Sequence, residues 1–312
     1  TVSLTTSGTK RTLSLSGLSD LNVRLTGPLK GDALLLTAGV NIPTGSTELD
    51  GDATTVLQTV AAPALAMPVG ALGLGFGGTV GVLGAREFGN WALALGASLE
   101  QRTEYTPVAL ALSGTTSRTS LSPGTAAHIS LGADRSVGAQ RLSFLVIGDV
   151  YAEDELTTST GTSSSSSQYS LGPQVTAIGR LDFAKSGWHG TAANASFRLR
   201  SEFTDAAGST VTGSGGSYLE ASIGGVRGSL TRPGLILGAD TRYQSGLEFT
   251  SALVGAAVTA VGATVGIDWP FAQASLRVAL RGQAGSIDTG SSSTSIMGLQ
   301  LSGSLSARGG SR

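Results

Sequence analysis

The chain has 312 residues and a net charge of −1, with 46 glycines, 13% charged residues, 5% aromatics, no cysteine and a mean hydropathy of +0.19. So few aromatic side chains make for a weak globular core, because large side chains supply much of the apolar area that an interior buries. The near-neutral charge gives no reason to expect nucleic acid as a partner, and the lack of cysteine excludes disulfides and thiolate chemistry.

The N-terminal TVSLTTSGTK has no charged segment leading into an apolar one, so the sequence either begins after processing or lacks its start. Residues 1–7 read as a short strand. In 11–27, Leu13, Leu15, Leu21, Val23 and Leu25 share one phase of a period-two alternation, with Ser14, Ser16, Asp20, Asn22 and Arg24 in the other. Residues 71–84 set Leu72, Leu74, Phe76, Val80 and Val82 against glycines and Thr79. Residues 90–105 set Trp91, Leu93, Leu95, Ala97 and Leu99 against Ser98, Glu100, Arg102 and Glu104. Residues 139–154 alternate in the same way, as do 168–184, 188–204, 234–248, 271–287 and 293–307. Weaker strands are expected at 31–43, 124–137, 216–229 and 251–268. Period-two alternation marks strands whose two faces meet different surroundings.

These strands run to roughly 14 to 19 residues, whereas strands of soluble sheets peak at about 5 to 6. Tight connections at 86–90, 136–139, 185–187, 230–234 and 268–271 alternate with longer polar ones at 44–70, 106–123, 154–167 and 205–215. No stretch of about 18 apolar residues is present, so a membrane-crossing helix is not expected. The pattern predicts an all-β, single-domain transmembrane antiparallel barrel over 1–312, with 12 to 14 strands and 14 favoured. Its short turns would be periplasmic and its longer loops extracellular. In 90–105 the apolar phase lasts from 91 to 99, the length that about 9 to 11 tilted residues need to cross a bilayer core. Trp91, Tyr105, Tyr169 and Phe183 are the expected membrane-interface aromatics. A soluble β-sandwich is the competing fold, but it needs a second sheet over every apolar face.

The polar phase carries the candidate pore-lining residues Glu100, Arg102, Glu104, Arg198, Arg200, Glu202, Asp240, Arg242, Arg277 and Arg281. Both signs are interspersed, which suits a wet, locally paired wall; alternatively the arginines define a constriction or ligand site. The loop 46–70 is expected to hold a short helix capped by Asp52, at the mouth or inserted into the interior. His128, inward, and His189, in the outward phase, have no nucleophile or metal-spaced partner nearby in sequence, so no catalytic residue and no metal site are expected.

LLLTAGVNIPTGSTELD (34–50), with Pro43, Thr44 and Gly45 after an alternating strand, then VGALGLGFGG and WALALGASLEQRTEY, resembles a bacterial family over residues 11–105. These are outer-membrane transporters linked to aromatic-degradation pathways, FadL-like in shape. The resemblance implies a barrel of about 12 to 14 strands taking up small hydrophobic compounds, with a plug or kink and no cofactor. The chain departs from that family in having no hatch segment before the first strand and no terminal aromatic. The expected function is a bacterial outer-membrane channel for passive uptake of small hydrophobic or aromatic molecules, with membrane lipids, the solute and a homo-oligomer or envelope partner as neighbours. A general diffusion porin for polar solutes and a scaffold barrel of a larger envelope complex are the alternatives.

Overall fold

The computed structural model describes residues 2–6, 9–13, 19–30, 33–45, 49–50, 52–53, 73–112, 115–201, 203–204, 210–211, 216–228, 231–246, 256–271 and 274–307. Nearly all of these lie in strands. In chain order the first are β1 (Val2–Thr6), β2 (Thr9–Leu13), β3 (Leu21–Lys30), β4 (Leu34–Ile42), β5 (Gly77–Phe88), β6 (Trp91–Arg102), β7 (Tyr105–Leu112), β8 (Thr115–Ser122) and β9 (Ala126–Val137). There follow β10 (Gln140–Tyr151), β11 (Asp154–Thr160), β12 (Ser163–Tyr169), β13 (Gln174–Asp182), β14 (Trp188–Arg200), β15 (Phe203–Thr204) and β16 (Thr210–Val211). The last are β17 (Ser217–Arg227), β18 (Gly234–Ser245), β19 (Ala257–Phe271), β20 (Ala274–Asp288) and β21 (Ser293–Ala307).

Thirteen strands form one antiparallel sheet in the order β3-β4-β5-β6-β9-β10-β13-β14-β17-β18-β19-β20-β21. Successive members run in opposite directions, so β3 and β21 point the same way. Neither has a partner on its outer side among the described residues, and no closed barrel is found there. β1 pairs with β2 rather than with the sheet, so the expected N-terminal wall strand is not part of it. The expected strand at 11–27 is divided: β2 ends at Leu13 and the sheet strand β3 begins at Leu21.

Turns on one rim are short, with two residues at 89–90 and at 138–139. On the other rim, two of the connections expected to be loops are instead extended hairpins. β7, β8, β11 and β12 form a four-stranded sheet, order β12-β11-β8-β7. Each continues a sheet strand past a break of two to four residues, at 103–104, 123–125, 152–153 and 170–173. Ser- and Thr-rich sequence suffices here because hydroxyls bond across strands: Thr160 Oγ1 donates to Ser117 Oγ at 2.9 Å, and Thr119 and Thr158 meet at 3.4 Å.

The faces of the large sheet are inverted relative to a water-soluble one. Leu95 is 58% exposed, Leu131 56%, Val261 58% and Leu299 72%, and the same holds for the apolar phase on strand after strand. Much of the polar phase is half-buried or buried, down to 8% for Asp149 and 5% for Asp268, while Arg141, Arg180 and Arg277 stay exposed. Curvature accounts for the difference. His189 on β14 reaches within 3.6 Å of Asp268 on β19, although β17 and β18 lie between them. Three strand spacings of about 4.8 Å separate these positions along the sheet, a gap that an imidazole and a carboxylate close only if the sheet curls with its polar side innermost.

Candidate functional site

The concave polar face carries the candidate residues as a set of cross-strand clusters. On β6, Arg102 pairs with Glu100 at 2.5 Å, two residues apart on the same face. Glu104 stands exposed at the break that follows, and Glu202 lies outside the described residues.

The second cluster spans four neighbouring strands. His128 Nδ1 on β9 meets Asp149 Oδ1 on β10 at 2.7 Å; Gln174 on β13 donates to Asp149 Oδ2 at 3.1 Å; Arg200 on β14 donates to Gln174 Oε1 at 3.2 Å. Register makes the row: His128 faces Asp149, Asp149 faces Gln174, and Gln174 faces Arg200. His128 therefore has the carboxylate partner that its sequence neighbourhood lacked. Ser98 lies opposite His128 in register, and no hydrogen bond joins the two among the described residues.

The third cluster occupies β14, β17, β18 and β20. The Arg198 guanidinium lies 5.1 Å from the centroid of the Tyr218 ring, and the Tyr218 hydroxyl donates to Glu220. Glu220 faces Arg242 in register, and Arg242 is only 4% exposed. Arg281 donates to Asp240 from Nε at 3.0 Å and from Nη2 at 2.5 Å, and to Gln283 from Nη1 at 3.2 Å. Charges of both signs alternate through the group, as expected from its sequence, and Arg198, Asp240, Arg242 and Arg281 are brought together.

Arg277 belongs to a separate group near the short-turn rim, donating to Asp268 Oδ2 at 3.3 Å beside His189. The position of His189 corrects the outward assignment made from a fixed period of two. The β14–β17 register shifts between His189 and Ala192, and Gly190 takes a φ of +59°. This bulge adds a residue to one strand, so Trp188 turns to the apolar face and His189 to the polar one. The glycine inside a strand pattern was the available signal.

At the opposite rim the Pro43-Thr44-Gly45 segment proves to be part of a clamp. Asp20 Oδ1 accepts from the Gly45 amide at 2.9 Å, while Oδ2 accepts from the Leu74 amide at 2.7 Å and from Asn41 Nδ2 at 2.8 Å. Thr44 Oγ1 accepts from the Leu21 amide at 2.9 Å. Burial pushes the Asp20 carboxyl upward, but the Leu74 amide, Asn41, the Gly45 amide and the Arg102 charge outweigh it and hold it below the usual carboxylate range. One carboxylate thus ties both ends of the 46–72 connection to β3. Most of that connection, including the expected apolar helical stripe, lies outside the described residues. At its start Asp50 Oδ1 accepts from the Ala53 amide at 2.7 Å, the contact of an N-cap. Leu49 is buried, its amide donating to the Pro107 carbonyl at 3.2 Å.

The four aromatics divide. Trp91 lies at the short-turn rim with Arg135 over its ring at 5.3 Å, and Phe183 lines an apolar groove near that rim with Trp188 and Ile223. Tyr105 and Tyr169 lie beyond the strand breaks, half-buried near Asp154; burial, then the Asp154 charge and its hydrogen bond, push the Tyr169 hydroxyl up. They belong to the extended hairpins and not to the row that holds Trp91.

Among the described residues no group of three or more His, Asp or Glu side chains could hold a metal ion, and no helix is long and apolar enough to cross a membrane. The sequence matches no protein-family model and no curated protein.

Proposed function

We propose that the chain is a bacterial outer-membrane β-barrel acting as a passive channel for small molecules, hydrophobic or aromatic ones foremost, with no cofactor. The carrying observation is the inversion of the sheet: its apolar side chains face outward and its ion pairs line the concave side. In water each exposed Leu or Val forgoes about 1.5 to 3 kcal/mol of burial; against lipid tails the same exposure is favourable. Sheet strands of 9 to 15 residues fit a bilayer crossed by about 9 to 11 tilted residues. Hydrocarbon tolerates a sheet only when its edges are joined, so the reading includes a further strand, or a direct join, between β3 and β21.

The charged, hydrogen-bonded concave face favours a second reading, general diffusion of polar solutes through a water-filled pore. Conductance of the purified protein in planar bilayers tests both. Discrete steps reduced by small aromatic solutes support the first, and steps indifferent to aromatics but accompanied by sugar flux support the second. Protein that inserts and never conducts removes both.

A further inference from the structure

Two groups of cations stand out among the described residues. On the polar face Arg102, Arg141, Arg180, Arg277 and Arg281 each meet a carboxylate. At the short-turn rim three cations instead lie over aromatic rings: Arg86 over Phe88 at 5.2 Å, Arg135 over Trp91 at 5.3 Å and Lys185 over Trp188 at 5.3 Å. No carboxylate among the described residues stands within ion-pair distance of these three. Phe88 and Trp91 face one another in register, as do Trp91 and Arg135, so the first two contacts form one continuous row across β5, β6 and β9.

Two open apolar grooves lead away from these cations. One, of about 620 Å³, has Arg86 and Phe88 at its rim, Gly84 and Ala133 as low points, and Leu95 and Phe144 as walls. The other, of about 290 Å³, has Lys185 and Trp188 at its rim, Gly225 as a low point, and Ile223 and Leu237 as walls. The construction is the same on two separate parts of the sheet: small residues sink a channel between Leu, Ile and Phe side chains, and at its short-turn end stands an aromatic carrying an uncompensated positive charge. Exposed apolar surface calls for a hydrocarbon chain, and the cation beside it calls for an anion at the end of that chain. A phospholipid of the surrounding leaflet supplies both parts.

We propose that the two grooves are binding sites for anionic glycerophospholipids of the surrounding leaflet, an acyl chain lying along each groove and the phosphate meeting Arg86 and Arg135 in one site and Lys185 in the other. A phosphate beside a guanidinium makes charge-assisted hydrogen bonds, and the ring beneath keeps the cation at headgroup depth. The proposal rests on the membrane reading above, since the grooves open on the face that reading assigns to lipid.

Tryptophan fluorescence tests it: Trp188 lines one groove, Trp91 faces Phe88 at the rim of the other, and the exposed Trp269 gives a background common to both lipids. The full chain is reconstituted in phosphatidylcholine vesicles doped with a small fraction of chain-brominated phosphatidylglycerol, or with the same fraction of chain-brominated phosphatidylcholine. The expected result is stronger quenching by the anionic lipid, corresponding to about fivefold enrichment at the sites. Arg86→Gln/Arg135→Gln and, separately, Lys185→Gln should each reduce the excess, and the two combined should abolish it. Equal quenching by both lipids in the unmodified chain, or an excess that survives all three substitutions, overturns the proposal. Lys185→Gln alone keeps the test decisive if the double variant fails to fold. Protein that neither floats with the vesicles nor is quenched by either lipid overturns the membrane reading itself, and the sites with it.

Discussion

Asp240 and Arg281 lie on strands that do not pair, β18 and β20, and their ion pair passes over Gly262 of the strand between them. A Cβ at position 262 would stand 2.6 Å from both carboxylate oxygens of Asp240. The glycine is therefore the condition for the pair, and the pair ties three strands on the concave side. Gly262→Ala is expected to displace the carboxylate and cost about 2 kcal/mol, the scale of a charged hydrogen bond in a partly buried site. In an Asp240→Ala background the same substitution should cost little, because neighbours that share one interaction are not additive. Urea titration in detergent of the two single variants and the double variant measures the cycle; additive losses would remove the steric coupling.

Leu95 and Ser98 sit on opposite faces of β6, Leu95 58% exposed and Ser98 half-buried opposite His128. Leu95→Arg should oppose insertion by about 2 to 4 kcal/mol, the scale for arginine at the midplane of a barrel wall. Ser98→Arg should insert and fold yet narrow the pore, lowering conductance. Insertion into vesicles followed by heat-modifiable gel mobility reads the first effect, and single-channel recording the second. Equal assembly defects in both variants would mean the faces are misassigned.

The two faces of β6 were readable from residues 90–105 because alternation records the surroundings of each side chain directly. Partners across strands were not. Asp240 and Arg281 are 41 residues apart, and only register shows that they approach one another. Residues 154–167 looked like a loop because Ser and Thr carry no apolar alternation, yet their hydroxyls serve a strand pair as well as a loop; in 106–123 the alternation of Val108, Leu110 and Leu112 was a strand signal, overshadowed by Pro107 and the Ser/Thr run that follows. The Gly190–Thr191 bulge defeated the reading of His189, since a fixed period has no place for an inserted residue. Thr44 and Gly45 stood out as a motif, but their use became clear only when Asp20 was placed between the ends of the 46–72 connection.

That clamp should release in acid. The Asp20 carboxyl is held below its unfolded value, so the stability it contributes is present above the unfolded carboxylate range and is lost as pH falls through its folded value. Above that range the 46–72 connection stays tied at both ends; below it, the Leu74 and Gly45 amides lose a charged acceptor. Asp20→Asn should mimic the acid state at neutral pH, at a cost of about 1 to 2 kcal/mol after solvent screening. Recording conductance against pH for both forms checks this. The native trace is expected to change gating in acid, and the variant to show that gating at all pH values. Identical profiles would leave the clamp without a role at the mouth.

The parity of the sheet makes the most demanding prediction. Among the described residues the sheet has thirteen strands, so β3 and β21 run parallel at its two edges, and antiparallel closure requires one more strand running the other way between them. β21 shows what an uncovered edge looks like, with Met297 84% and Leu301 74% exposed. In an open sheet every second amide of β21 lacks a partner and exchanges as fast as a loop amide; in a closed wall all of them are protected. Hydrogen exchange on the vesicle-inserted protein should therefore find β21 and β3 as slow as the central strand β14. Fast exchange along β21 in the full, inserted chain would mean that the wall does not close, and an unclosed wall cannot enclose a pore.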